Sequence, residues 1–222
     1  MMVVHPDILA ELVTEPYRQV QTVVVENIPF FRRIVSDIID QINGFPGNLV
    51  LSKENVPIEM SKNAEIITDL LSFNLNTKNL LAKVTTALER EAHAAENIYR
   101  QNEILTKLES FIDDISFGFR CDLKLKRLGI GQLIKSVGIE ICDKYDNLLE
   151  RIIDYIELIR EFDRNKLFFI VNLRSFFTDD ETSSFIDTVC RQGYDVIMLE
   201  SFSHAKLENE KRLTIDTDLC EF

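Results

Sequence analysis

Residues 166–200, KLFFIVNLRSFFTDDETSSFIDTVCRQGYDVIMLE, constrain the fold more than any other stretch of this chain, because they spell a complete strand–helix–strand unit. Leu167 to Val171 is a short run of Leu, Phe, Ile and Val, the pattern of a strand buried on both faces. Thr178-Asp-Asp-Glu181 reads as a capping box, with Thr178 accepting from the first turn and Glu181 reaching back. Phe185, Ile186, Val189 and Cys190 then share one helical face, and Gly193 stands where a left-handed residue ends a helix. Asp195 to Leu199 supplies a second buried strand, and a crossover of this length makes the pair parallel. The fold class is therefore α/β, with a mostly parallel sheet. In a nucleotide-hydrolysing fold, a strand like Leu167–Val171 ends in an acidic residue that handles magnesium. Here it ends in Asn172.

At 222 residues the chain can bury a substantial core, and 45% hydrophobic with 28% charged residues is ordinary for a globular protein. Asp7, Glu11 and Glu15 interrupt the apolar positions near the start, which a signal peptide would not tolerate. No run approaches the roughly 18 apolar residues of a membrane span. The expected location is cytoplasmic, with no membrane partner. Cys121, Cys142, Cys190 and Cys220 are dispersed, without a C-x-x-C pair, and read as reduced structural thiols, Cys142 and Cys190 as small buried hydrophobes. The formal charge of −12 is awkward for a nucleic-acid binder, although an acidic protein can carry one basic face.

Val20 to Val25 is a β-branched run, followed at helical spacing by Ile28, Phe31, Ile34, Val35, Ile38, Ile39 and Ile42. Gly44-Phe-Pro-Gly47 breaks that helix, and 48–51 is a short strand candidate. From Ser61 to Phe117 there is neither Pro nor Gly. A short helix is expected over 62–71. A longer one, capped by Asn76 or Thr77, carries Leu80, Leu81, Val84 and Leu88; the stripe thins at 90–96 and resumes with Ile98, Leu105, Leu108, Ile112 and Ile115. Two antiparallel helices with a reversal near 93–96 would bury both stripes against each other. One continuous helix of about 40 residues is the alternative, and it would need a partner chain. Beyond Gly118, Leu123 and Leu125 alternate with charged residues as an edge strand would. A short helix is expected over 132–137, closed by Gly138, then a strand over 139–142, an amphipathic helix over 146–162 and a last strand over 212–217. The predicted organisation is an α/β head, 1–60 and 118–222, with an all-helical leg, 61–117, inserted in it.

The chain has no G-x-x-x-x-G-K-[ST] phosphate loop, and Gly129-Ile-Gly131 is too short to replace one. His5, His93 and His204 sit in unrelated contexts, and no nucleophile-elbow pattern occurs. No enzyme activity and no catalytic residue is expected. Arg120, Lys124, Lys126 and Arg127 form the densest basic cluster of this acidic chain. They read either as the solvated face of a strand or as a strip that contacts phosphates. Asp113-Asp114 and Asp179-Asp180-Glu181 are explained by helix-end electrostatics, and neither run alone supplies the six to eight oxygens that calcium takes.

Several segments together resemble a known family. Glu15-Pro16 follows the first short run. Thr68-Asp-Leu-Leu-Ser-Phe-Asn-Leu-Asn76 is similar to the family's T-D-[IL]-L-x-[YF]-[DN]-[VL]-N segment ahead of a long helix. Gly138-Ile-Glu-Ile141, Leu167-Phe-Phe-Ile-Val-Asn172, Phe177-Thr178 and Tyr194-Asp-Val-Ile-Met-Leu-Glu200 match in order and spacing over about 190 residues. On these residues the chain resembles the small CRISPR-associated spacer-acquisition proteins of type II-A systems, of the Csn family. The resemblance implies a head distantly like that of an ATPase that has lost its nucleotide machinery, with no bound nucleotide. It further implies a homotetrameric ring that holds double-stranded DNA at or near an end and works with the spacer integrase and the type II effector nuclease in adaptive antiviral defence. Calcium ions that help hold the ring's shape are also implied. One departure bears on them. Where better-known members carry an acidic run, this chain has Lys124, Lys126 and Arg127, which removes carboxylates from a region implicated in calcium binding and turns the strip towards DNA.

Beside the DNA-binding ring, two other classes of function stay open on the residues alone. One is a degenerate nucleotide hydrolase or nuclease, the other a purely oligomeric scaffold.

Overall fold

In the computed structural model, which describes every residue except Asp122, Lys124, Leu125, Arg127 and 143–146, the segment 166–200 folds as its pattern predicts. In chain order the elements begin with β1 (Met2–Val4), β2 (Leu12–Val13), β3 (Val20–Val25), α1 (Ile28–Ile42), β4 (Val50–Lys53) and β5 (Val56–Ile58). Then come α2 (Met60–Asn63), β6 (Ala64–Ile67), α3 (Lys78–Ala92), α4 (Ile98–Ser116), α5 (Ile130–Val137) and α6 (Leu148–Phe162). The chain finishes with β7 (Leu167–Val171), α7 (Asp179–Gln192), β8 (Asp195–Glu200) and β9 (Glu210–Ile215). Thr178 Oγ1 accepts from the Glu181 amide at 3.3 Å while Glu181 Oε2 accepts from the Thr178 amide at 2.8 Å, so the capping box is complete. Gly193 closes α7 at φ 66°, a conformation that glycine adopts without a Cβ penalty. β7 and β8 then pair in parallel, Leu167 opposite Asp195.

Five strands make one parallel sheet in the order β6-β7-β8-β3-β9, and β2-β1-β4-β5 make a second, antiparallel one. Val23, Val25, Phe169, Ile197 and Leu199 point to one face of the parallel sheet. They pack with Phe30, Ile34 and Ile38 of α1 and with Val3, Leu12 and Leu51 of the antiparallel sheet. Alternation sends the buried Phe168, Ile170, Val196 and Met198 to the opposite face, where α7 lies against β3 and α6 against α7. Each such side chain contributes about 1.5–3 kcal/mol by leaving water, which is why a sheet buried on both faces dominates the molecule's stability.

By contacts the chain divides into Met1–Phe73 with Tyr145–Phe222, which holds both sheets, and Asn74–Lys144, which holds α3, α4 and α5. These limits lie at 73/74 and 144/145, against the 60/61 and 117/118 read from the sequence. Part of the difference is the stretch 62–71, expected to be a helix. Only one turn of helix forms there. Ala64 turns extended, and Ile66 and Ile67 run beside Phe169 and Ile170 as edge strand β6. A short apolar run gains more from completing a parallel sheet than from its weak helical propensity.

The helical unit contains two separate helices, α3 and α4, with a break at 93–97 where the stripe thins. Thr77 caps α3, its Oγ1 accepting from the Leu80 amide at 3.3 Å. The expected mutual burial of the two stripes is not what forms. α3 packs against α5, and no residue of α4 is buried. No strand forms at Leu123 and Lys126, and Lys124 and Leu125 lie outside the described residues. Nor is 139–142 a strand. Asn76 takes the partner's place, its Oδ1 accepting from the Ile141 amide at 2.7 Å and its Nδ2 donating to the Ile141 carbonyl at 3.1 Å. Cys142 is exposed rather than buried, together with Cys121 and Cys220. Among the described residues no helix is long and apolar enough to cross a membrane.

Candidate nucleic-acid interface

Open parallel α/β sheets bind ligands beyond the carboxyl ends of their strands, where helices leave for opposite faces. In this sheet that place lies between β3 and β8, and the chain fills it with its own groups. Between β3 and α1 stand only Glu26 and Asn27, too few residues to wrap a phosphate. Asn27 is itself occupied, Oδ1 capping Phe30 at 3.0 Å and Nδ2 donating to the Thr217 carbonyl at 2.8 Å. At the end of β7, Asn172 is left-handed at φ 52° and its Oδ1 accepts from both the amide and the hydroxyl of Ser201, each at 2.9 Å. The residue standing where a magnesium-handling acid is found in nucleotide hydrolases is thus a strut between two strand ends.

The one carboxylate at this edge with a strongly altered affinity for its proton is Glu200, 1% exposed at the end of β8. Burial is the main cause, partly offset by the Arg174 amide and charge, and its pKa is pushed up to about 7. Glu200 Oε1 accepts from the Arg174 amide at 3.2 Å, while Oε2 has no hydrogen-bond partner among the described residues. Arg174, also buried, is held by Asp179 and by the Ala205 carbonyl at 2.7 Å. Arg212, paired with the buried Glu210 at 2.8 Å, donates to the same carbonyl at 3.2 Å. Two arginines therefore clamp the 201–209 connection. At 1% exposure Glu200 is shut away from solvent, and that burial is what raises its pKa. Its apolar strand gave no sign of this in the sequence, where it closes the run Val-Ile-Met-Leu.

The basic strip read from the sequence is only partly described. Arg120 and Lys126 are exposed, and neither pairs with a carboxylate among the described residues, whereas Lys124 and Arg127 lie outside them. The strip's setting differs in charge from the rest of the chain. Segment 74–144 holds 11 of the 25 Lys and Arg and 10 of the 37 Asp and Glu, which leaves 14 cations against 27 anions in the rest of the chain. The excess negative charge therefore belongs wholly to the unit that carries the sheets. Directly before the strip stand Phe117 and Phe119, 94% and 65% exposed. The period-based reading missed them because they follow the helix end and fall on no face. On α4 itself Ile98, Ile104, Phe111 and Ile115 are exposed as well.

No three acidic, histidine or cysteine side chains gather as a metal site among the described residues. The region where calcium is implied includes Asp122, which lies outside them.

Sheet, closed edge and insertion define the class: an α/β protein with a helical insertion and without a phosphate-binding loop. The family described as CRISPR-associated protein (Cas_Csn2) matches residues 40–219, and the chain belongs to that family. A relative, the CRISPR-associated protein Csn2 of Enterococcus faecalis, is 23% identical over 136 residues, 61% of this chain. The match spans 62% of that relative's length. The crystal structure of Stu0660 of Streptococcus thermophilus shares the fold with a TM-score of 0.59 at 12% identity, over 97% of this chain and 75% of that one.

Proposed function

We propose that this chain is a non-catalytic, sequence-independent binder of double-stranded DNA that assists spacer acquisition in adaptive antiviral defence. The observation that carries the reading is the segregation of charge: a near-neutral helical segment bearing Arg120, Lys124, Lys126 and Arg127 within a chain of net charge −12. Cations so placed meet phosphates, while the acidic unit turns the rest of the duplex away. Phosphate contact fixes position and carries no sequence information, so binding is independent of sequence. Family membership supplies the CRISPR setting.

In this reading the working form is a homotetrameric ring that holds the duplex near an end, in the cytoplasm, beside the spacer integrase and the effector nuclease. The stripe of α4, Ile98, Leu105, Leu108, Ile112 and Ile115 at successive steps of seven, three, four and three, has no buried residue and is a suitable self-association surface. Calcium, if it takes part, acts on ring assembly, and mass measured with and without the ion tests that. The closed edge at Glu26–Asn27 and Asn172 speaks against the nucleotide-hydrolase alternative, and the basic strip against a pure scaffold.

The test is a binding series with two unrelated linear duplexes of equal length. Equal affinities that fall together, steeply and linearly in log salt, support the reading. A preference for one sequence, or ATP hydrolysis, overturns it.

A further inference from the structure

Glu200 and the connection that follows it are tied together by one residue. The Arg174 amide donates to Glu200 Oε1 at 3.2 Å, while its guanidinium donates to the Ala205 carbonyl at 2.7 Å and pairs with Asp179. Arg212 donates to the His204 carbonyl at 2.5 Å and to that of Ala205 at 3.2 Å. Glu210, the ion-pair partner of Arg212, accepts from the Leu207 amide at 2.8 Å. These polar bonds are what attaches the connection, because no residue from Phe202 to Asn209 is buried and none belongs to the apolar core. A segment held in this way opens without disturbing the sheet it leaves. Glu200 is its opposite: 1% exposed, with Oε2 lacking a hydrogen-bond partner among the described residues. Such a carboxyl is comfortable as the neutral acid and costly as the anion.

From this geometry we infer that the 201–209 connection is a proton-operated latch, shut while Glu200 holds its proton and released when Glu200 ionises. On release the proton passes to water and the new carboxylate is hydrated. The guanidinium of Arg174 is freed from Ala205, and its Nε, also buried and without a partner among the described residues, becomes available to Glu200. Burial places the change near neutrality, since it pushes the pKa of Glu200 up to about 7. The charged groups that act on Glu200 are Arg174, before α7, and Glu210 on β9. Asp179 of α7 and Arg212 of β9 pair with those two, and His204 lies in the connection itself. Burial lowers the pKa of His204, so its titration drives opening with the opposite sign, towards low pH. The direction of the pH dependence therefore tells the two groups apart. The latch is independent of the DNA reading and goes beyond it.

The test follows amide hydrogen exchange of the full chain from pH 5 to 8, with each rate divided by the intrinsic rate of an unstructured amide at that pH. The probes are Leu207 in the connection and Ile197 of β8, which is paired on both sides. Leu207 is expected to exchange through an opening that leaves Ile197 protected. Its opening constant is expected to rise by about tenfold per pH unit up to about 7 and to level off above. Glu200→Gln cannot ionise and keeps an acceptor for the Arg174 amide, so it is expected to hold that constant flat. A carbon-13 titration of the wild-type Glu200 carboxyl needs no variant, and a midpoint near 7 is expected. A midpoint near the ordinary 4.5 overturns the latch. So does a single common opening for Leu207 and Ile197, or an opening constant of Leu207 that is flat or falls as pH rises. A Glu200→Gln variant with the wild-type slope assigns the dependence to another group and overturns it as well.

Discussion

Asn172 and Ser201 tie the ends of β7 and β8 together: one side-chain oxygen of Asn172 accepts from both the backbone amide and the hydroxyl of Ser201, at 2.9 Å each. Asn172 sits at φ 52°, a region that asparagine tolerates far better than a residue without a local hydrogen-bonding side chain. Asn172→Ala is therefore expected to cost about 2–3 kcal/mol, from a half-buried amide left without its acceptor and from the backbone conformation together. Thermal denaturation measures it. Asn172→Asp restores the acid of a nucleotide hydrolase and keeps an acceptor, yet is expected to bind no ATP in equilibrium dialysis, because Glu26–Asn27 cannot wrap a phosphate.

Glu200 gives the fold a pH dependence of unusual sign for a carboxylate. Its folded pKa of about 7 lies above the ordinary 4.5, chiefly because the side chain is buried. The folded state therefore holds a proton that the unfolded state has released, and the contribution to stability is complete below about 4.5 and lost as pH rises through 7. The full span is roughly 3 kcal/mol. The charged groups that act on Glu200 are Arg174, before α7, and Glu210 on β9. Glu200→Gln keeps an acceptor for the Arg174 amide, so it is expected to flatten the urea-midpoint profile between pH 5 and 8. An unchanged slope in that variant would assign the pH dependence to another group.

Gly193 is required for two separable reasons. Its φ of 66° disfavours a side chain, and an added Cβ would run into the ring of Tyr17. Gly193→Ala is expected to cost about 1–2 kcal/mol from the backbone conformation plus whatever Tyr17 needs to swing away. Since Tyr17 is largely exposed, adding Tyr17→Ala should recover only the contact part, as a double-mutant cycle of denaturation midpoints will read.

Asn76 holds 139–142 in place of a strand partner. Replacing it with Ala removes both bonds to Ile141, at 2.7 and 3.1 Å, and leaves that stretch without this anchor. Hydrogen exchange of the Ile141 amide is expected to accelerate at least tenfold, while the amides of β7 and β8 exchange as before.

What was legible in the sequence follows from what each segment needs. The β7-α7-β8 unit carries its whole code locally, in Leu167–Val171, Thr178 with Glu181, and Gly193, and it folds accordingly. β6 was misread as helix because its pairing with β7 bridges about 100 residues of chain, and nothing in Ala64–Ile67 announces that partner. The stretch 139–142 was misread as strand because an apolar run looks the same whether a neighbouring strand or one asparagine satisfies its backbone. Of the site, the cationic identity of Arg120 and Lys126 was readable from the charge run. Phe117 and Phe119 were not, since periodicity finds faces and these rings belong to none. Asn172 is legible in the sequence as a residue in place of an acid, whereas its bond to Ser201 exists only where two distant strand ends meet.

The most direct measurement is a gel-shift comparison of linear and closed circular duplex of identical sequence, over a range of salt. Clear preference for the linear form, with affinity falling steeply as salt rises and no change on adding ATP, is the expected result. Equal affinity for both forms would contradict recognition of DNA ends, and no affinity for either would contradict DNA binding altogether.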